Sequence, residues 1–116
     1  MSETTLLHAF IARVPHVLPD VRVFRRNVIN GQLANGRRVR NGIVGQADAY
    51  ALVRGGAHVE IEAKSALGVL STEQRKWQSF CVNFGIPYIV LRADDNELPN
   101  GTINRWVNEL RACIRV

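Results

Sequence analysis

The sequence predicts an α/β domain in which a central mixed sheet is flanked by helices, and three observations carry that reading. Two strand patterns, 47–53 and 57–64, are joined by Arg54-Gly55-Gly56; a helix pattern of 3.6-residue period follows over 71–84; and a short apolar strand, 88–92, comes directly after it. A tight glycine turn joins antiparallel neighbours, whereas a strand leading through a helix into another strand builds a parallel crossover. The expected order is helix, strand, strand, strand, helix, strand, helix (αβββαβα), and 116 residues form one domain, 1–116, with a single core.

Each element has a local cause. Residues 2–14 place Leu6, Leu7, Phe10, Ile11 and Val14 on one helix face, with Ser2 as the cap and Glu3 in the first turn, where it complements the helix dipole or assists a metal site. Pro15 and Pro19 bound the connection that follows. A strand at 21–26 alternates Val21 and Val23 against Arg22 and Phe24. Between 27 and 45, Asn30-Gly31, Asn35-Gly36 and Asn41-Gly42 are turn signals that predict a loop or loose hairpin presenting Arg37, Arg38 and Arg40. The helix over 71–84 buries Trp77, Phe80, Cys81 and Phe84, and begins with Ser71 and Gln74 in capping-box spacing. Asn100-Gly101 reads as a turn, after which Thr102 caps a last helix whose buried face is Ile103, Trp106, Val107, Leu110 and Ile114.

Composition narrows the function. Formal charge is +5, and the excess is local: seven arginines lie between Arg22 and Arg54 against one acid, Asp48. Such a stripe suits a polyanion, with guanidinium contacts to phosphate, or serves as a solvated surface. Cys81 and Cys113 follow no metal-ligand spacing and read as reduced core thiols. The N-terminus has no signal pattern, and no apolar run approaches the ~20 residues that span a bilayer, so a soluble cytoplasmic protein is expected.

The chemistry concentrates on the two strands of the hairpin. On 58–64, Val59, Ile61 and Ala63 point to the core, while His58, Glu60, Glu62 and Lys64 point the other way. Antiparallel pairing brings Asp48, at the start of one strand, near Glu62 and Lys64 at the end of the other. Carboxylates repel unless something positive lies between them, which points to a divalent-cation site with a lysine beside it.

In this order, Asp48 followed by Glu62-Ala63-Lys64 resembles the metal-binding signature of the PD-(D/E)XK nuclease fold. The closer resemblance is to the VRR-NUC family of replication and repair nucleases, where Gly-x-Pro-Asp precedes Glu-x-Lys and then a Gln opening a helix. Here those elements read Gly45-Gln46-Ala47-Asp48, Glu62-Ala63-Lys64 and Gln74, and Arg26-Asn27 resembles a basic-Asn element upstream. Ala47 departs from the family's Pro, a residue that shapes backbone and ligates nothing. The family's spacing implies that Glu62 is the ligand and Glu60 its neighbour.

The resemblance implies a Mg2+- or Mn2+-dependent endodeoxyribonuclease. Asp48, Glu62 and the main-chain carbonyl of Ala63 would hold the metal, Lys64 would orient the attacking water and offset charge on the phosphate, and Gln74 would assist alongside its capping role. Arg25, Arg26, Asn27, Arg37, Arg38 and Arg40 would contact DNA. Stand-alone, phage-like members resemble homodimeric Holliday-junction resolvases of DNA repair and recombination, so branched DNA and a second copy are the expected partners, with no small-molecule cofactor or membrane. A phage origin would place the protein in the host cytoplasm. The alternatives are a monomeric flap- or duplex-nicking nuclease, a non-catalytic DNA-binding module, and a protein-interaction factor.

Overall fold

A computed structural model of the chain describes residues 1–26, 29–32, 34–41 and 43–114, with the strands at 29–32 and 38–41 described as backbone. Its elements are α1 (Glu3–Val17), β1 (Val21–Arg25), β2 (Ile29–Gln32), β3 (Arg38–Asn41), β4 (Ala49–Val53), β5 (His58–Lys64), α2 (Thr72–Asn83), β6 (Tyr88–Arg92) and α3 (Pro99–Ile114). Four strands form one mixed sheet in the order β1-β4-β5-β6, and β2 pairs with β3 in a separate two-stranded sheet. β4 lies antiparallel to both β1 and β5, whereas β5 and β6 are parallel. The glycine turn and the helical crossover impose this arrangement. At the turn, Gly55 and Gly56 adopt φ of 98° and 106°, angles that residues with a Cβ avoid. The chain is thus α/β, a mixed sheet flanked by helices, as its sequence predicts.

The core lies between one face of the sheet and the helices α1 and α3. Phe10 and Trp106, both fully buried, meet edge to face with ring centroids 5.9 Å apart, and Trp106 Nε1 donates to the Arg92 carbonyl at 2.9 Å. Against them pack Val21, Val23, Ala49, Ala51, Val59, Ile61, Ala63 and Leu91 from the strands. Trp106 is therefore a core residue. Cys81 and Cys113 are free thiols, as expected, and no helix among the described residues is long and apolar enough to cross a membrane.

Four expectations are corrected. Asn30-Gly31 lies within β2 rather than at a turn, and Arg38 and Arg40 belong to β3, which leaves Arg37 in the turn that joins the two strands. α1 runs through Pro15 to Val17: Pro15 lies in the last turn, where Leu18 N–H, donating to the Val14 carbonyl at 2.7 Å, closes the helix end. Asn100-Gly101 lies inside α3 rather than forming a turn: Pro99 opens the helix with its fixed φ, and Thr102 N–H donates to the Leu98 carbonyl at 3.1 Å. The apolar stripe of α2 is not a buried face. Only Cys81 is buried, Trp77 is half-buried, and Phe80 and Phe84 are 40% and 70% exposed.

Sheet position also changes the meaning of β5. In β1 and β4, Val21, Val23, Ala49 and Ala51 turn inward while Arg22, Phe24 and Leu52 stay exposed, the alternation of a sheet open on one side. β5 is a central strand, and α2 sends Gln74 and Trp77 onto its second face. Glu60 and Glu62 are consequently 1% exposed each.

Candidate active site

The hairpin register creates the site. Ala49 pairs with Ile61, so Asp48, one residue earlier, lies opposite Glu62. The two residues are tied reciprocally: Asp48 N–H donates to Glu62 Oε2 at 3.1 Å, and Ala63 N–H donates to Asp48 Oδ2 at 3.0 Å. Because N–H and C=O of one strand residue point to the same side, the Ala63 carbonyl also faces the Asp48 side of β5. Asp48, Glu62, Ala63, Lys64 and Gln74 line one cavity of about 180 Å3, together with Glu3 and Arg25. The sequence-predicted residues of the site thus converge.

Burial and the neighbouring Asp48 carboxylate push the Glu62 carboxyl up to about 8, against the opposing pull of the Asp48 amide and Lys64. Near neutral pH the pair is stabilised by a proton or by a cation in its place. Among the described residues no group of three or more His, Cys, Asp or Glu is placed to hold a metal ion. The oxygen donors here are two carboxylates and a main-chain carbonyl, a set suited to a cation that keeps several waters, as Mg2+ does.

Gln74 does two things. Its Oε1 accepts from Ser71 N–H at 2.8 Å and Ser71 Oγ accepts from Gln74 N–H at 3.1 Å, completing the capping box, while Nε2 donates to Glu62 Oε1 at 2.7 Å. The helix start therefore orients the acid. The ammonium of Lys64, a half-buried residue at the end of β5, makes no hydrogen bond or ion pair among the described residues, and its stem lies beside Gly68. Gly45 is required for contact as well as conformation: at φ 93°, an added Cβ would stand 2.4 Å from the Glu73 carbonyl oxygen in the first turn of α2.

Glu60 and Arg26 have a different place from Glu62 and Arg25. Arg26 Nη1 and Nη2 grip the Glu60 carboxylate at 2.7 and 3.0 Å, Nη1 also donates to the Ala47 carbonyl at 3.0 Å, and Arg26 N–H donates to the Asp48 carbonyl at 2.7 Å. Trp77 Nε1 donates to Glu60 Oε1 at 2.8 Å, and His58 Nε2 lies 2.5 Å from Oε2. Burial alone would raise the Glu60 carboxyl, but these hydrogen bonds outweigh it and hold the group below the usual carboxylate range. Glu60 ties β1, β4 and α2 to β5 beneath the site without lining the cavity. A sequence pattern cannot name these partners, so this anchor was not foreseen.

The remaining basic residues are dispersed. Arg25 reaches His8 at 2.7 Å at the cavity's edge, and Arg37 is exposed in the turn between β2 and β3. Asn27 and the side chains of Arg38 and Arg40 lie outside the described residues. Tyr88, which the sequence did not single out, has its hydroxyl buried without a hydrogen-bond partner among the described residues; burial and the nearby carboxylates raise its phenol further above its ordinary range. Glu3, exposed in the first turn of α1, lines the cavity, combining its two expected positions.

No protein-family model matches the chain, and no curated protein matches its sequence.

Proposed function

We propose that the chain is a metal-dependent endodeoxyribonuclease with a PD-(D/E)XK core of VRR-NUC type, acting on branched DNA as a homodimeric Holliday-junction resolvase. The observation that carries this reading is the reciprocal pairing of Asp48 and Glu62 around the Ala63 amide, beside a Lys64 ammonium with no ion pair among the described residues. A buried carboxylate raised by its neighbour gains from a cation where a binding surface for phosphate would gain nothing. The antiparallel β1-β4-β5 meander followed by a crossover to β6 supports the fold that the sequence resembles.

Asp48, Glu62 and the Ala63 carbonyl would hold Mg2+ or Mn2+, which supplies Lewis acidity at a scissile phosphate. Lys64 places a positive charge where negative charge grows on the phosphate, and Gln74 fixes the Glu62 carboxylate through a side chain that the helix cap has already ordered. Arg25, at the cavity's edge, supplies a contact for a flanking phosphate. Symmetric cuts in a four-way junction need two such sites, which a two-fold dimer provides.

The test is cleavage of labelled four-way junction, flap, duplex and single-stranded DNA with Mg2+ or Mn2+, repeated with chelator and with Lys64→Ala. Paired cuts in the junction, abolished by either control, are expected. Cleavage confined to flaps or nicked duplex would replace the resolvase by a monomeric nuclease. DNA binding indifferent to both controls, with no cutting, would overturn the enzymatic reading.

A further inference from the structure

The helix α2, which has Gln74 in its first turn, carries an aromatic stack that the fold anchors only at Trp77. Trp77 stacks on Phe80 with centroids 5.1 Å apart, and Phe80 on Phe84 at 4.4 Å. Trp77 is anchored to Glu60, but Phe80 and Phe84 are 40% and 70% exposed. They border a shallow groove of about 500 Å3 on α2, which is also lined by Arg75 and Lys76 and by no acid. Lys76 pairs with Glu73 at 3.4 Å, while Arg75 has no ion pair among the described residues. A second aromatic row crosses the same face of the sheet: Phe24 on Tyr50 and Tyr50 on His58, each at 5.6 Å, with the Arg26 guanidinium 4.9 Å from the Tyr50 ring centre. The two rows meet at Glu60, which both Trp77 and His58 contact.

We infer that the exposed rings of α2 are a stacking platform for unpaired nucleobases of the strand being cut, with Phe80 and Phe84 receiving the bases and Arg75 and Lys76 the phosphates. This rests on the nuclease reading and specifies its substrate: branched DNA whose bases are unpaired beside the scissile bond, as at an opened branch point. Charge selects the occupant. A polyanion with flat apolar faces complements rings flanked by cations on a chain of formal charge +5, whereas a two-fold contact with a second copy would set the same cations against each other. Spacing agrees. Phe80 and Phe84 follow Gln74 by six and ten residues, or about 9 and 15 Å along a helix. At about 3.4 Å per nucleotide of a stacked strand, the rings meet bases roughly three to four nucleotides from the site.

The experiment measures binding of a fluorescent oligothymidine and of an abasic strand of the same length and charge, in chelator so that nothing is cut. Wild-type protein should bind oligothymidine about tenfold more tightly than the abasic strand, with quenching of Trp77 fluorescence. Phe84→Ala should erase that preference and leave abasic binding unchanged, and Phe84→Leu should behave like Phe84→Ala. Melting temperature confirms that each variant is folded. Equal binding of both strands by the wild type, alongside metal-dependent cleavage, would overturn the platform and leave the nuclease standing. Failure to bind either strand or any duplex would overturn the nuclease reading itself. A wild-type dimer that Phe84→Ala converts to monomer, with oligothymidine binding unchanged, would assign the rings to a second copy and overturn the proposal.

Discussion

Asp48 and Glu62 hold each other in place: the Asp48 amide donates to Glu62 Oε2 at 3.1 Å while the Asp48 carboxylate accepts from the next residue of β5, Ala63, at 3.0 Å. Two acids are thereby fixed side by side at the end of a buried strand, where burial and the Asp48 carboxylate make the charge on Glu62 costly. That cost gives the site its first measurable signature.

The Glu62 carboxyl is pushed up to about 8 in the folded protein, well above its ordinary value near 4.3 when unfolded. The native state therefore binds a proton that the unfolded chain releases. Its contribution to stability is fully present below the unfolded value and is lost as pH rises through about 8. In chelator, melting temperature should fall by several degrees between about pH 5 and about pH 9 from this group, and Glu62→Gln should flatten the fall. Saturating Mn2+ should restore stability at the alkaline end by taking the proton's place. An unchanged slope in Glu62→Gln would show that another group controls it.

Gly45→Ala should be among the most destabilising single-methyl changes in the chain. The new Cβ would require a φ of 93° and approach the Glu73 carbonyl oxygen to 2.4 Å, so the loop entering Asp48 must separate from α2. Strain and overpacking together predict a loss of about 2–4 kcal/mol. Urea unfolding at constant m-value measures it; a loss under about 1 kcal/mol would mean that loop and helix can part freely.

Most of the site was legible because it depends on one register. Once Arg54-Gly55-Gly56 is read as a hairpin turn, Asp48 must approach Glu62, and the capping-box spacing places Gln74 at the start of the next helix. Glu60 was less legible: alternation puts it on the face with Glu62, but whether a helix closes that face, and which cation meets the acid there, depends on tertiary contacts with Arg26 and Trp77 far away in sequence. The same limit misread α2. A period of 3.6 marks which rings share a side, not whether the sheet extends far enough beneath them, and Phe80 and Phe84 lie where it does not bury them.

Neighbouring arginines should separate cleanly. Arg26 is committed to a nearly buried pair with Glu60, their side chains 17% and 2% exposed, so Arg26→Ala should cost about 3–5 kcal/mol by leaving that carboxylate uncompensated. Arg25→Ala, at the edge of the cavity, should leave melting temperature within a degree or so while weakening DNA binding and lowering its salt slope by about 1. Unfolding curves and salt titrations on the two variants decide this. The reverse pattern would move the DNA contact to Arg26.

Lys64→Ala should separate chemistry from folding. The ammonium makes no hydrogen bond or ion pair among the described residues, and its carbonyl, which accepts from Ala93 N–H at 2.9 Å, is retained in the variant. Melting temperature should therefore change little. Losing Lys64 also removes the positive charge that draws the Glu62 carboxyl downward, so the fall in stability with rising pH should be larger and extend to higher pH than in the wild type, its onset unchanged. Cleavage should drop by about 100-fold or more at saturating metal, the scale of losing one preorganised charge at a reacting phosphate. Lys64→Arg, whose planar fork replaces a compact point charge, should recover only part of it. A variant that cuts as fast as the wild type would remove Lys64 from the chemistry; one that no longer folds would show that its stem against Gly68 matters more than its charge.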